Sequence, residues 1–268
     1  MKTSLTVKDL SHRYGRRIVL DAISFSVQEG EFFIIIGPNG SVKTTLVRTI
    51  SGTLQPQRGQ IEILRRPIRS YSGKALARSV AVVAQTPPSD IPFTVADVVL
   101  MGRSPHMSLL AIEKRKDLEL AERAMAFTNV QHLAGRRFDQ LSAGERQRVL
   151  ISRAICQQTR IIVLDEPTAP LDLAHQINVM DLLERLRKED EITIVMVSHD
   201  LNLAALYADR LLLLKEGSVV GLGKPEEVLT FQTLEQAYGC VLLVDENPVK
   251  KVPLVTLVPN SRLMNDCS

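Results

Sequence analysis

The chain has no tryptophan, and aromatic residues make up only 4% of it. Its three cysteines, Cys156, Cys240 and Cys267, stand apart with no C-x-x-C pair. An odd, scattered set argues against a disulfide framework or a zinc site and fits a reducing compartment. Excess charge of one sign is also scarce. Thirty-three basic residues against 30 acidic ones leave a net +3, too little to argue for nucleic acid. Apolar runs are short, far below the ~20 residues needed to span a bilayer. The start, Met1-Lys2-Thr3-Ser4-Leu5-Thr6-Val7-Lys8, has no apolar core of signal-peptide length. These absences predict a soluble, cytoplasmic protein that meets a membrane only through a partner. What remains is ordinary globular composition, 45% hydrophobic and 24% charged over 268 residues, enough for one large domain with lobes.

The chain is organised around Gly37-Pro38-Asn39-Gly40-Ser41-Val42-Lys43-Thr44-Thr45. An apolar run, Phe32 to Ile36, precedes it, and Leu46 to Ile50 follows. That order reads as strand, tight loop, helix, the setting in which backbone N–H groups and a helix start face phosphates. The pattern is G-x-x-x-x-G-K-[ST] with Val42 in place of its second glycine. Lys43 is placed to reach β- and γ-phosphates and Thr44 to ligate Mg²⁺. Taken alone, the loop also reads as a glycine turn followed by a chance Lys-Thr.

Around it, residues 3–8, Ile23 to Val27 and Gln60 to Leu64 alternate in polarity and read as strands of a small antiparallel sheet. Val80 to Ala84, Arg160 to Asp165 and Ile192 to Val197 read as buried strands, with helices over 173–188 and 200–208 between and after them. Such alternation predicts an α/β fold with a mostly parallel sheet. Thr94 with Asp97 reads as the start of a short helix. A helix over 112–134 would bury Leu118, Ala121, Met125 and Leu133 on one face. The expected organisation is a single domain: an α/β core from 1–86 and 158–225, a helical lobe from 87–157, and an extension from 226–268.

Asp165-Glu166 closes a buried strand, at the sheet edge where open α/β folds bind ligands. Asp165 can hold Mg²⁺, and Glu166 beside it is suited to polarise an attacking water. Two adjacent acids at a solvated strand end are the plainer reading in isolation. Leu141-Ser142-Ala143-Gly144-Glu145 opens another helix with a capping box, a site ready for an anion. Most capping boxes are only structural. His12, His106, His132 and His175 show no ligand-like clustering and receive no role.

Together these pieces resemble the ATP-binding cassette family, in order and spacing, over about residues 3–225. Leu141 to Glu145 is similar to its signature, and Asp165-Glu166 to the Walker B acid and catalytic glutamate. Pro170-Leu171-Asp172 resembles the D-loop, Val197-Ser198-His199-Asp200 the switch segment, Gln85 the Q-loop glutamine and Tyr14 the adenine-stacking aromatic. The resemblance implies a P-loop NTPase core, a small antiparallel subdomain and an inserted helical lobe. It implies ATP bound by Tyr14, residues 37–45, Ser142, Gly144 and Asp172, and Mg²⁺ held by Thr44, Gln85 and Asp165. It also implies that Glu166, His199, Gln85 and Lys43 carry hydrolysis. Ser142 and Gly144 of one chain would face the P-loop of a second, so the expected state is a head-to-tail homodimer.

A lone cassette without fused membrane helices resembles the ATPase subunit of an importer. The stretches 84–106 and His199 to Ala205, with Tyr238-Gly239, are similar to the ferric-siderophore, haem and cobalamin subfamily. Residues 86–106 would then contact two permease subunits at the cytoplasmic face of the inner membrane, with a substrate-binding protein further off. Iron–siderophore or haem is the first expectation for cargo, then cobalamin or oxyanions. A soluble cassette of DNA repair or translation would resemble tandem cassettes or carry long coiled-coil insertions, and this chain has neither. A third reading is a cassette that binds ATP but hydrolyses it poorly, because of Val42. If position 42 needs φ > 0, Val42 is strained by about 1–2 kcal/mol; if it is helical, only crowding remains.

Overall fold

A computed structural model describes residues 2–40, 42–85, 92–107 and 114–259. Two long strands, β1 (Thr3–Tyr14) and β2 (Arg17–Gln28), form an antiparallel hairpin that extends well past the alternating cores seen in the sequence. After β3 (Phe32–Ile36) come α1 (Lys43–Ile50), β4 (Arg58–Ile63), β5 (Arg66–Pro67), α2 (Gly73–Ala77) and β6 (Val80–Val83). The lobe holds α3 (Val95–Leu100), α4 (Arg115–Phe127) and α5 (Ala143–Cys156). The core resumes with β7 (Ile161–Asp165), α6 (Leu173–Asp190), β8 (Thr193–Val197), α7 (Leu201–Tyr207), β9 (Arg210–Lys215) and β10 (Ser218–Gly223). The extension carries α8 (Pro225–Val228), α9 (Phe231–Tyr238), β11 (Leu242–Glu246) and β12 (Pro253–Leu257).

The main sheet runs β10-β9-β3-β8-β7-β6, parallel from β9 to β6 with β10 antiparallel at one edge. A second sheet, β2-β1-β4-β5, is antiparallel. Every residue of β3, β7 and β8 is buried. Successive side chains of a strand point to opposite faces, and the packing follows that rule. Phe32, Ile34 and Ile36 enter one core with Leu164, Met180 and Leu183. Phe33 and Ile35 enter the other with Leu46, Ile50 and Ile61 of α1 and the antiparallel sheet. A fully apolar strand is what a sheet covered on both faces requires.

Thr94 caps α3 with the expected capping box, accepting from Asp97 N at 3.2 Å. The reading of α4 needs correction. Its buried face is Asp117, Ala121, Ala124 and Met125, while Leu118 is 46% exposed. Leu133 lies beyond the helix, in a short 3-10 turn, Gln131–Leu133. The stripe is offset by one residue because Asp117 takes a buried place. Its carboxylate accepts from Arg103 Nε at 2.9 Å and from the backbone N–H of Lys114 at 3.2 Å. Arg103 also donates to the carbonyl of Cys156 at 2.9 Å, so one buried ion pair ties three segments of the lobe together.

Candidate nucleotide site

Parallel strands deliver their C-terminal ends to one edge, and the candidate residues follow those ends. Gly37 comes directly after β3, Asp165 ends β7, Ser198 and His199 follow β8, and Gln85 lies two residues past β6. The loop bends through Gly37 at φ 148° and Gly40 at φ 79°, conformations open mainly to glycine. Val42 caps α1 at φ 62°, ψ 26°, in the left-handed region. The first of the two alternatives for position 42 therefore holds, and a β-branched residue there carries strain of about 1–2 kcal/mol. The Val42 side chain also packs against the second core. Ser41 lies outside the described residues.

Lys43 is buried, and its Nζ donates to the carbonyls of Gly37 at 2.8 Å and Pro38 at 3.0 Å. Burial pulls its pKa down, opposed by the charges of Glu166 and Asp165. Asp165 is buried as well. Desolvation raises its pKa against the hydrogen bond from Thr44 and the nearby cations. Among the described residues its Oδ1 has no hydrogen-bond partner. A buried, unpartnered carboxylate oxygen beside a threonine hydroxyl is a hard oxygen set that fits Mg²⁺. No group of three or more His, Cys, Asp or Glu among the described residues forms a protein-only metal cage.

Glu166 sits at φ 50°, a sparsely populated conformation for which the surroundings supply the restraint. Its N–H donates to Val197 O at 3.2 Å. Gln85 Nε2 donates to its Oε2 at 2.6 Å, and His199 Nε2 closes on its Oε1. One carboxylate is thus gripped from both sides by residues of two other strand ends. The structure brings Gln85, Lys43, Thr44, Asp165, Glu166 and His199 into a single cluster.

The remaining candidates fall elsewhere. Ser142 caps α5, and its N–H donates to Glu145 Oε2 at 2.7 Å. Gly144 lies against the ring of His175, so close that an added Cβ would sit 2.6 Å from Cδ2. His175 Nδ1 in turn contacts Asp172 Oδ1 at 2.7 Å. Ser142, Gly144 and Asp172 therefore form a second cluster, joined by a histidine that the sequence reading left without a role. Its position three residues after the N-cap Asp172 was the available signal. Tyr14 is half exposed and meets the ring of buried His12 edge-on at 5.0 Å. Of residues 86–106, only 92–106 are described, as α3 and a 3-10 segment, Met101–His106.

No helix among the described residues is long and apolar enough to cross a membrane. A family model for the ABC transporter matches residues 20–169. The chain is 39% identical over 250 residues to the ferric enterobactin transport ATP-binding protein of Escherichia coli, covering 92% of each. It is 41% identical to the hemin import ATP-binding protein of Thermobifida fusca, over 94% of this chain and 87% of that one. Among solved structures it is similar to a metal-chelate type ABC transporter in an inward-facing conformation. There the TM-score is 0.87 at 31% identity, with coverage of 98% and 100%. It is also similar to a dimeric ATP-binding cassette in a post-hydrolysis state bound to ADP and phosphate. That match has TM-score 0.71 and 28% identity, with coverage of 82% and 98%. The chain belongs to the ABC transporter family, as an ATPase cassette.

Proposed function

We propose that the chain is the ATP-hydrolysing subunit of an importer for iron–siderophore or haem, working as a cassette pair on two permease subunits. The observation that carries hydrolysis is Glu166, held between Gln85 and His199 beside Asp165 and Lys43. The cargo reading rests on relatives named for ferric enterobactin, hemin and petrobactin import. The whole chain is read as one cassette, with core 1–86 and 158–225, lobe 87–157 and extension 226–268.

In this reading the amides of residues 37–45 and the Lys43 ammonium bind the substrate's phosphates, while Tyr14 offers its exposed face to adenine. Thr44, Asp165 and Gln85 would hold Mg²⁺, which supplies positive charge against the phosphate oxygens when bound. Glu166 accepts a proton from the attacking water, and its two hydrogen bonds fix the carboxylate's direction. With nucleotide bound, His199 would turn its ring N–H from Glu166 to the γ-phosphate. Ser142 and Gly144 act on the partner cassette's nucleotide, with Asp172 between the two sites. Charge neutralisation from both cassettes is the main source of catalysis. Residues 86–106 dock the permease, which sets the protein at the cytoplasmic face of the cell membrane. Val42 lowers nucleotide affinity or turnover without changing the fold.

Copurification tests this reading. Two hydrophobic membrane subunits and ATP-dependent uptake of a ferric chelate support it. Copurification with ribosomes or DNA, without uptake, overturns it.

A further inference from the structure

The extension ends in a hairpin, β11 with β12, that pairs with no other strand among the described residues. A two-stranded ribbon is marginal by itself in water, so something must hold it. Leu242 and Val255 sink into the main core. The outer edge of β12 is met by a side chain. Asn202 Nδ2 donates to Val255 O at 3.1 Å, and Val255 N donates to Asn202 Oδ1 at 2.8 Å. The amide thus pairs with one backbone residue as a neighbouring strand would. A second tie comes from Lys250. Its Nζ donates to Leu206 O at 2.7 Å and lies over the Tyr207 ring. Both ties land on α7.

Helix α7 begins shortly after β8. Its N-cap, Asp200, accepts from Leu203 N at 2.8 Å, and Asp200 N donates to Ser198 Oγ at 3.1 Å. His199 lies between those two anchored residues, with Glu166 on its ring. The extension is therefore fastened to α7, the helix that opens at the switch segment.

We propose that the C-terminal hairpin is a brace for the switch segment, with Asn202 the positioning residue that sets His199 against Glu166 through α7. The inference rests on the reading of His199 as a hydrolysis residue. A fastening that served stability alone would move the melting point and leave turnover of folded protein unchanged.

Steady-state hydrolysis of Mg-ATP by the 268-residue chain at about 25 °C, with the melting curve of each variant recorded beside it, separates these cases. Small misplacements of catalytic groups cost up to ~10²-fold, and this one is indirect. Asn202→Ala is expected to lower kcat by about 5- to 10-fold, with KM within about twofold. Asn202→Asp has the same shape and keeps the acceptor for Val255 N–H, but it turns a second oxygen on the Val255 carbonyl. It is expected to lower kcat likewise and serves if the alanine variant does not fold. Unchanged kcat in the folded variants, or a loss carried by KM instead, overturns the brace. His199→Ala is the companion. If it abolishes turnover while the Asn202 variants remain fully active, only the brace fails. If it retains turnover, the switch reading fails and the brace with it.

Discussion

Replacing Val42 with glycine isolates the one irregularity of the phosphate loop. The φ of 62° at this position is close to the ideal left-handed value, and valine carries about 1–2 kcal/mol of strain there. Glycine removes that strain but costs about 0.5–1 kcal/mol of extra chain entropy on folding. It also gives up the packing of the valine side chain, about 1 kcal/mol on the scale of a fully buried one. These contributions nearly cancel. Val42→Gly should therefore shift the melting point by less than about 3 °C. Nucleotide affinity behaves differently. Strain of that size lowers the population of the loop conformation that cradles phosphates, and apparent affinity falls with that population. Converted at about tenfold per 1.4 kcal/mol, the full strain sets a ceiling of about 5- to 30-fold on the tightening of Mg-ATP binding in Val42→Gly. Val42→Ala, without the β-branch but with its Cβ, should fall between. Calorimetric titration of each variant reads the constants directly. Equal dissociation constants for the parent and the Val42→Gly variant would refute the strain argument.

Other consequences follow from particular contacts. Arg103→Leu strands a buried carboxylate and should destabilise the chain by about 3–5 kcal/mol in denaturant titration. Arg103 holds the Asp117 carboxyl below its usual range. A depressed carboxyl contributes stability that is complete above the ordinary carboxylate pKa and lost as pH falls through the folded value. Between about pH 5 and pH 3 the parent's melting point should therefore drop more than that of Asp117→Asn. Gly144→Ala places a methyl 2.6 Å from the His175 ring. It should lower turnover, and His175→Ala in the same chain should restore part of the loss. Buried Cys156, its thiol pushed up to about 11, should resist thiol reagents in the folded protein, whereas exposed Cys240 should react at once.

The cluster around Glu166 was legible because each member follows a strand that can be read from its own residues. Five-residue apolar runs such as Phe32 to Ile36 fit a sheet covered on both faces, and in such sheets chemistry gathers at one edge. Thr94 with Asp97 and Ser142 with Glu145 were legible for the same reason, since a capping box spans only about four residues. The buried face of α4 was not, because hydrophobic periodicity cannot anticipate a carboxylate that is buried with an arginine 14 residues away. Nor could the Asn202–Val255 pair be foreseen. It joins a helix side chain to a strand backbone across 53 residues, and no local rule marks either partner. The conformation of Val42 lay between these cases. The sequence posed two alternatives, and only the backbone angle chose.

The most direct measurement compares Mg-ATP binding and hydrolysis in the parent chain and in Glu166→Gln. The amide keeps the shape of the side chain but cannot take a proton from water. Glu166→Gln should bind Mg-ATP at least as tightly as the parent, with turnover reduced by about 10²-fold or more, within the range expected for removing a general base. Turnover within about twofold of the parent would contradict the assignment of this carboxylate, and with it the account of the site.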